Sequence, residues 1–246
     1  MRKIVGTIAL SVLVASCSGG GSKVTSTPKI AAQLAECPAL TPLPKPQLAR
    51  ATPVTLPASP IASLMASDAS HLGVARTGGG TSCVDVRLMS AVNNIAALQG
   101  DRFVAFNWSG YETNGYRADG NRVIDRTTGI VTETGGVPVF SPTGQLFAAA
   151  YQSDSAFAGL EGFAVWRVTP TGPIKIATVD DIPEMLDWRV DSWGSETCVN
   201  LSSVPFAMVP VGTKVFTGVA RTRYTAKQAG ATWLVTEAKG GGCTAG

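Results

Sequence analysis

From residue 61 onward the chain is a succession of short β-forming runs cut by Gly, Pro, Asn and Asp, which limits it to an all-β architecture of many small strands. Residues 102–108 read Arg-Phe-Val-Ala-Phe-Asn-Trp, side chains that suit a pleated, half-buried surface. Asp119-Gly120-Asn121 reads as a turn into a strand over 122–125, and Thr127-Thr128-Gly129 as a turn into 130–132. Further strands are expected over 146–151, 162–168, 174–179, 197–201, 213–220 and 231–237. One helix is expected over 86–98, on a stretch whose Val and Asn content makes it a poor helix former. Strands this short with such turns build a sandwich or a propeller.

A repeat favours the propeller. Val139-Phe140-Ser141-Pro142-Thr143-Gly144-Gln145-Leu146-Phe147-Ala148 contains a turn in which Pro142 sets φ and Gly144 permits a positive one, followed by a buried strand. Gly100-Asp101-Arg102-Phe103-Val104-Ala105 is a poorer copy about 44 residues earlier, and Pro210-Val211-Gly212-Thr213-Lys214-Val215-Phe216 a third; that period suits a four-stranded blade. The first copy resembles the F-S-P-D-G-x-x-hydrophobic-A signature of β-propeller repeats of the periplasmic TolB and WD40-like type, departing from it at Thr143, where the family usually has Asp. More broadly, residues 116–201 look like bacterial envelope proteins with such repeats, in which a Val165-Trp166-Arg167-Val168 strand is followed by a pair like Trp188 and Trp193. The resemblance implies a fold and no activity, because propellers host binding, scaffolding and hydrolysis alike. Another blade is expected to begin at Asp187-Trp188-Arg189 and the earliest at Ala66-Ser67-Asp68, giving an array of about four antiparallel blades, few for a closed ring. A β-sandwich is the alternative.

The N-terminus constrains location. Arg2 and Lys3, an apolar run from Ile4 and small residues before Cys17 describe a secretory signal over residues 1–16, too short to span a bilayer. Cysteine at the cleavage point resembles the bacterial lipobox, which implies that Cys17 is diacylated and becomes the new N-terminus of a lipoprotein. Serine at position 18 rather than aspartate resembles lipoproteins sorted to an outer membrane. Residues 17–60 are rich in Ser, Thr, Ala and Pro, and are expected to be a tether that presents a domain over 61–246.

Removing residues 1–16 leaves 18 Lys+Arg against 17 Asp+Glu, a balance that excludes nucleic acid as a partner. Once Cys17 is assigned to lipid, Cys37, Cys83, Cys198 and Cys243 remain, an even number that reads as two disulfides in an oxidising compartment. Three connectivities are open. Nearest-neighbour pairing closes two loops, each contributing on the order of 3 to 4 kcal/mol; the rival pairing of Cys37 with Cys243 ties the domain's ends together. No pair has CxxC spacing, so redox and zinc roles are not expected.

Few residues carry chemistry. His71 is the one histidine, no Gly-x-Ser-x-Gly elbow accompanies it, and it is expected at a surface or strand edge. Ser26-Thr27-Pro28-Lys29 matches Ser-x-x-Lys in form, but lies in the tether, and Gly78-Gly79-Gly80 lacks a phosphate-loop lysine. Residues 180–193 place Asp180, Asp181, Glu184, Asp187 and Asp191 beside Trp188 and Trp193, the residue types that sugar sites use. Strand alternation puts Asp187, Arg189 and Asp191 on one face, with Trp188 and Val190 on the other. The bland alternative is a core face backed by surface ion pairs. Tyr111, Asn114 and Tyr116 form a second candidate recognition loop on a hairpin. No catalytic residue, metal or cofactor is assigned. The expected role is a non-enzymatic binding module, anchored by lipid in the cell envelope, for an envelope protein or cell-wall polymer. The alternative is a carbohydrate-binding or glycan-active protein using the acidic and tryptophan segment.

Overall fold

A computed structural model describes residues 31–152, 160–209 and 216–244, and in them fifteen strands form four antiparallel sheets. The first sheet holds β1 (Met65–Ser67), β2 (His71–Ala75) and β3 (Thr81–Asp85). The second holds β4 (Met89–Leu98), β5 (Phe103–Tyr111), β6 (Arg117–Asp125) and β7 (Val131–Glu133). The third holds β8 (Val139–Phe140), β9 (Leu146–Tyr151), β10 (Gly162–Thr169) and β11 (Gly172–Val179). The fourth holds β12 (Leu186–Ser195), β13 (Cys198–Val204), β14 (Thr222–Ala229) and β15 (Thr232–Glu237). Each sheet is an up-and-down meander whose strand order is the chain order, so the fold is a propeller-like array of blades, not closed into a ring.

The repeat has a structural meaning. The turn at Gly100 joins β4 to β5, and the turn at Gly144 joins β8 to β9, so the first two copies occupy the same place in successive sheets. Gly144 takes a φ of 70°, and its N–H bonds Ser141 O at 2.9 Å. Thr143, at the usual Asp position, still caps the turn: its Oγ1 accepts Gln145 N–H and donates to Glu196 Oε1 in the corresponding turn of the fourth sheet. The third copy lies mostly outside the described residues. Its remaining part, with the rest of the strand expected over 213–220, is a turn and not a strand from Phe216 on.

Sheets pack face to face in chain order. Phe147, on one face of β9, stacks on Trp166 with ring centroids 5.1 Å apart and meets Phe140 of β8 and Phe103 of the second sheet. Ala148 and Ala150, on the other face, pack with Phe163 and Val165 against Trp188, Trp193 and Trp233 of the fourth sheet. A sheet covered on both sides needs apolar side chains at every position, which is why 146–151 reads as a continuous run.

Two further expectations are corrected. Residues 86–98 contain β4 and no helix, because Val92 and Ile95 pack into the first two sheets' core while the strand pairs with β5. Asp119, Gly120 and Asn121 lie inside β6, paired with Ser109, Trp108 and Asn107; the reversal falls at Asn114 and Gly115. From Ala31 the expected tether is laid on the first sheet. Ala32 and Val54 are buried in its core, Gln33 N–H bonds Thr81 Oγ1 on the edge strand β3, and Arg87 donates to Thr41 O. Disulfides join Cys37 to Cys83 and Cys198 to Cys243, the nearest-neighbour pattern. The first holds this segment over an edge that would otherwise be open. Cys17 and the Ser26 to Lys29 motif lie outside the described residues.

Candidate functional site

A cleft of about 640 Å³ opens where the second, third and fourth sheets meet, a size within the range of small-ligand sites. Its floor is backbone. A Cβ on Gly136 would stand 2.1 Å from Ala150 O, and Gly135 holds a φ of 67° with its Cβ position 2.8 Å from Leu160 Cβ. These glycines let the connection after β7 lie directly on the third sheet. Buried Thr134 ties it down, with Oγ1 3.0 Å from Gly136 O and 3.1 Å from Asn121 Oδ1; Asn121 Nδ2 in turn donates to Asn107 Oδ1 at 2.7 Å.

One wall comes from the second sheet. Asn93 and Asn94 sit at a bulge in β4, where Asn94 takes a left-handed φ of 52°. Asn tolerates that region better than most residues, and bulges re-aim side chains beside binding sites. Trp108 is fixed from both sides: its Nε1 donates to Glu133 Oε1 at 3.0 Å, and the Arg122 guanidinium lies 4.7 Å from the ring centroid while bonding the same carboxylate.

The opposite wall is 187–190 of β12, again at a bulge, with Asp187 at a φ of 49°. The Asp187 carboxylate is held by two guanidiniums. Arg189 Nη2 reaches Oδ2 at 2.6 Å and Arg221 Nη1 at 2.7 Å. Arg221 also donates to Asp187 O, to Ser202 O and to Ser202 Oγ, whose own hydroxyl donates to Asp191. Trp188 is 4% exposed and tilted against Tyr224; its buried indole N–H finds no acceptor among the described residues.

The sequence-derived candidates are therefore divided. Asp187 and Trp188 line this cleft, and the expected alternation holds, with Trp188 and Val190 buried and Arg189 and Asp191 exposed. Asp191 opens on a separate cleft of about 320 Å³ with Asn200 and Arg223, so it does not face Asp187 across a shared space. Trp193 is core: it meets Trp233 edge-on and donates to Val139 O at 2.8 Å. Glu184, Asp180 and Asp181 precede β12 at exposed or partly exposed positions outside both clefts. Tyr111, Asn114 and Tyr116 lie at the β5–β6 hairpin end, where Asn114 Oδ1 accepts Tyr116 N–H and Lys45 Nζ bonds Asn114 O. His71 is under the N-terminal segment, 3.3 Å from Pro38 O. No three His, Cys, Asp or Glu among the described residues come together as a metal site.

Sequence reasoning missed Arg221 and the paired asparagines. The Asn93-Asn94 doublet inside a β-forming run was a readable sign of a bulge. No protein-family model matches the chain, and no curated protein matches it in sequence.

Proposed function

We propose that this protein is a lipid-anchored envelope lipoprotein whose propeller-like domain is a non-enzymatic binding module, holding an envelope protein or cell-wall polymer in the cleft between its second, third and fourth sheets. The observation that carries the reading is the cleft, built from strand residues with a backbone floor and bulges on two walls. Sites on rigid elements hold a ligand with little ordering cost. The basic and apolar leader ending at Cys17 supports the anchor, and two disulfides suit an oxidising envelope.

The test is recovery of partners from the native envelope after mild cross-linking, with the full-length chain and its Asn93→Ala/Asn94→Gly variant, alongside membrane fractionation of Cys17→Ala. Cleft-dependent recovery of one envelope component, and release of Cys17→Ala from the membrane, support the reading. Recovery unaffected by the cleft variant overturns the cleft's role, and membrane retention of Cys17→Ala overturns the anchor.

One observation favours a second reading as a glycan-active enzyme: Asp119 and Asp187 line the same cleft. Turnover of a glycan that Asp187→Asn abolishes decides for it. The ion pairs on Asp187 weigh toward binding, because the two guanidiniums already occupy the carboxylate oxygens that a catalytic role would use.

A further inference from the structure

Resting on the reading of the cleft as a binding site, we infer that its ligand is an uncharged saccharide, engaged by Asn93, Asn94, Asn107 and Asp119 on one side and Asp187 on the other.

The cleft's polar groups decide the class. Asn93 and Asn94 bring amides, each with two donors and an acceptor carbonyl; Asn107, whose Oδ1 already accepts from Asn121, adds an NH2 group, Ser109 adds a hydroxyl, and Asp119 and Asp187 add carboxylates. Closely spaced donors and acceptors of this kind match neighbouring hydroxyls, each of which both donates and accepts. Val137, more than half exposed at the rim, and the partly buried Val139 and Tyr151 supply the apolar share, and a sugar ring presents C–H faces to such surfaces.

Charge weighs against the main competitors. Arg189 is the one cation among the described residues lining the cleft, and it is already salt-bridged to Asp187. A phosphate, uronate or acidic peptide would find no uncommitted guanidinium or ammonium among the described residues lining the cleft.

Backbone geometry is an independent observation. Asn94 and Asp187 are two of four non-glycine residues with positive φ among the described residues, and both line this cleft from bulges on different sheets. Left-handed backbone at non-glycine residues is costly and clusters where side chains are aimed at ligands.

The test is calorimetric titration of the purified full-length chain in detergent with chitotetraose, cellotetraose, maltotetraose and mannotetraose, and with tetragalacturonate as the charged counterpart. At least one neutral tetrasaccharide is expected to bind with a Kd of about 1 mM or tighter. Asn93→Ala/Asn94→Gly, which keeps a residue suited to positive φ at 94, should weaken it about tenfold or more without lowering the melting temperature, while Leu234→Ala on the exposed face of β15 leaves it unchanged. Preference for tetragalacturonate, neutral binding that survives the double variant, or no binding by any neutral probe overturns the inference. If no saccharide binds but the envelope pull-down is still cleft-dependent, the binding-module reading stands and only the ligand class falls.

Discussion

Arg221 Nη1 lies 2.7 Å from Asp187 Oδ2, so a residue just before β14 fixes the side chain that forms one wall of the cleft at the start of β12. Both side chains are about one-fifth exposed, which places the pair between surface ion pairs and buried ones.

Arg221→Gln is therefore expected to lower stability by about 1–3 kcal/mol, because Asp187 O, Ser202 O and Ser202 Oγ lose donors together. Asp187→Ala should cost about 1 kcal/mol more than Asp187→Asn, since asparagine suits a φ of 49° and alanine does not. Urea unfolding of the single variants and of Asp187→Asn/Arg221→Gln checks both, with a coupling energy near zero contradicting the pairing.

Gly136→Ala forces a methyl group against Ala150 O and is expected to cost about 1–3 kcal/mol, with any ligand lost as the floor shifts. Gly78→Ala, whose Cβ meets nothing within 4 Å, is the control and should be close to neutral. Equal melting temperatures for the two variants would contradict the packing at the floor.

The extent to which this was legible follows from what each residue answers to. The limits of β9 could be read from 146–151 because a strand buried on both faces announces itself in its own composition. The alternation of Asp187 and Arg189 with Trp188 and Val190 was equally local. In contrast, β4 was obscured by its bulge at Asn93 and Asn94, which breaks period-two patterning, and Asn121 imitated a turn residue although its amide is spent inside the sheet. Arg221 acts across 34 residues of chain, a distance that no periodicity encodes. The anchoring of 31–60 rests on a disulfide and on bonds to backbone carbonyls such as Thr41 O, which leave no mark on composition.

Replacing Cys37 and Cys83 with serine, or Cys198 and Cys243, is expected to cost about 2–4 kcal/mol for each pair. The first change should also release the N-terminal segment from β3, raising hydrogen exchange at Gln33 and along 81–85 while leaving 162–169 protected. Uniform exchange across both regions would contradict a local clamp.

Acid should weaken the first sheet. Burial pushes the carboxyls of Asp68 and Asp85 up, but the N–H groups of Ser70 and His71 on Asp68, and Arg87 on Asp85, outweigh it and hold both below the ordinary value of 3.8. A folded value below the unfolded one stabilises fully above the ordinary value, and that contribution is lost as pH falls below about 4 toward the folded values. Urea midpoints at neutral pH and near pH 3 should therefore diverge less in Asp68→Asn/Asp85→Asn than in the parent chain.

The most direct test of the central claim, that the cleft between the second, third and fourth sheets is where this protein meets its partner, is photo-cross-linking in the intact envelope. A photoreactive residue at Val137, exposed on the cleft rim, is compared with one at Leu234, exposed on β15. The account predicts a discrete adduct from position 137 that Asn93→Ala/Asn94→Gly diminishes, and none of the same mass from 234. An identical adduct pattern from both positions, or an adduct from 234 alone, would contradict it.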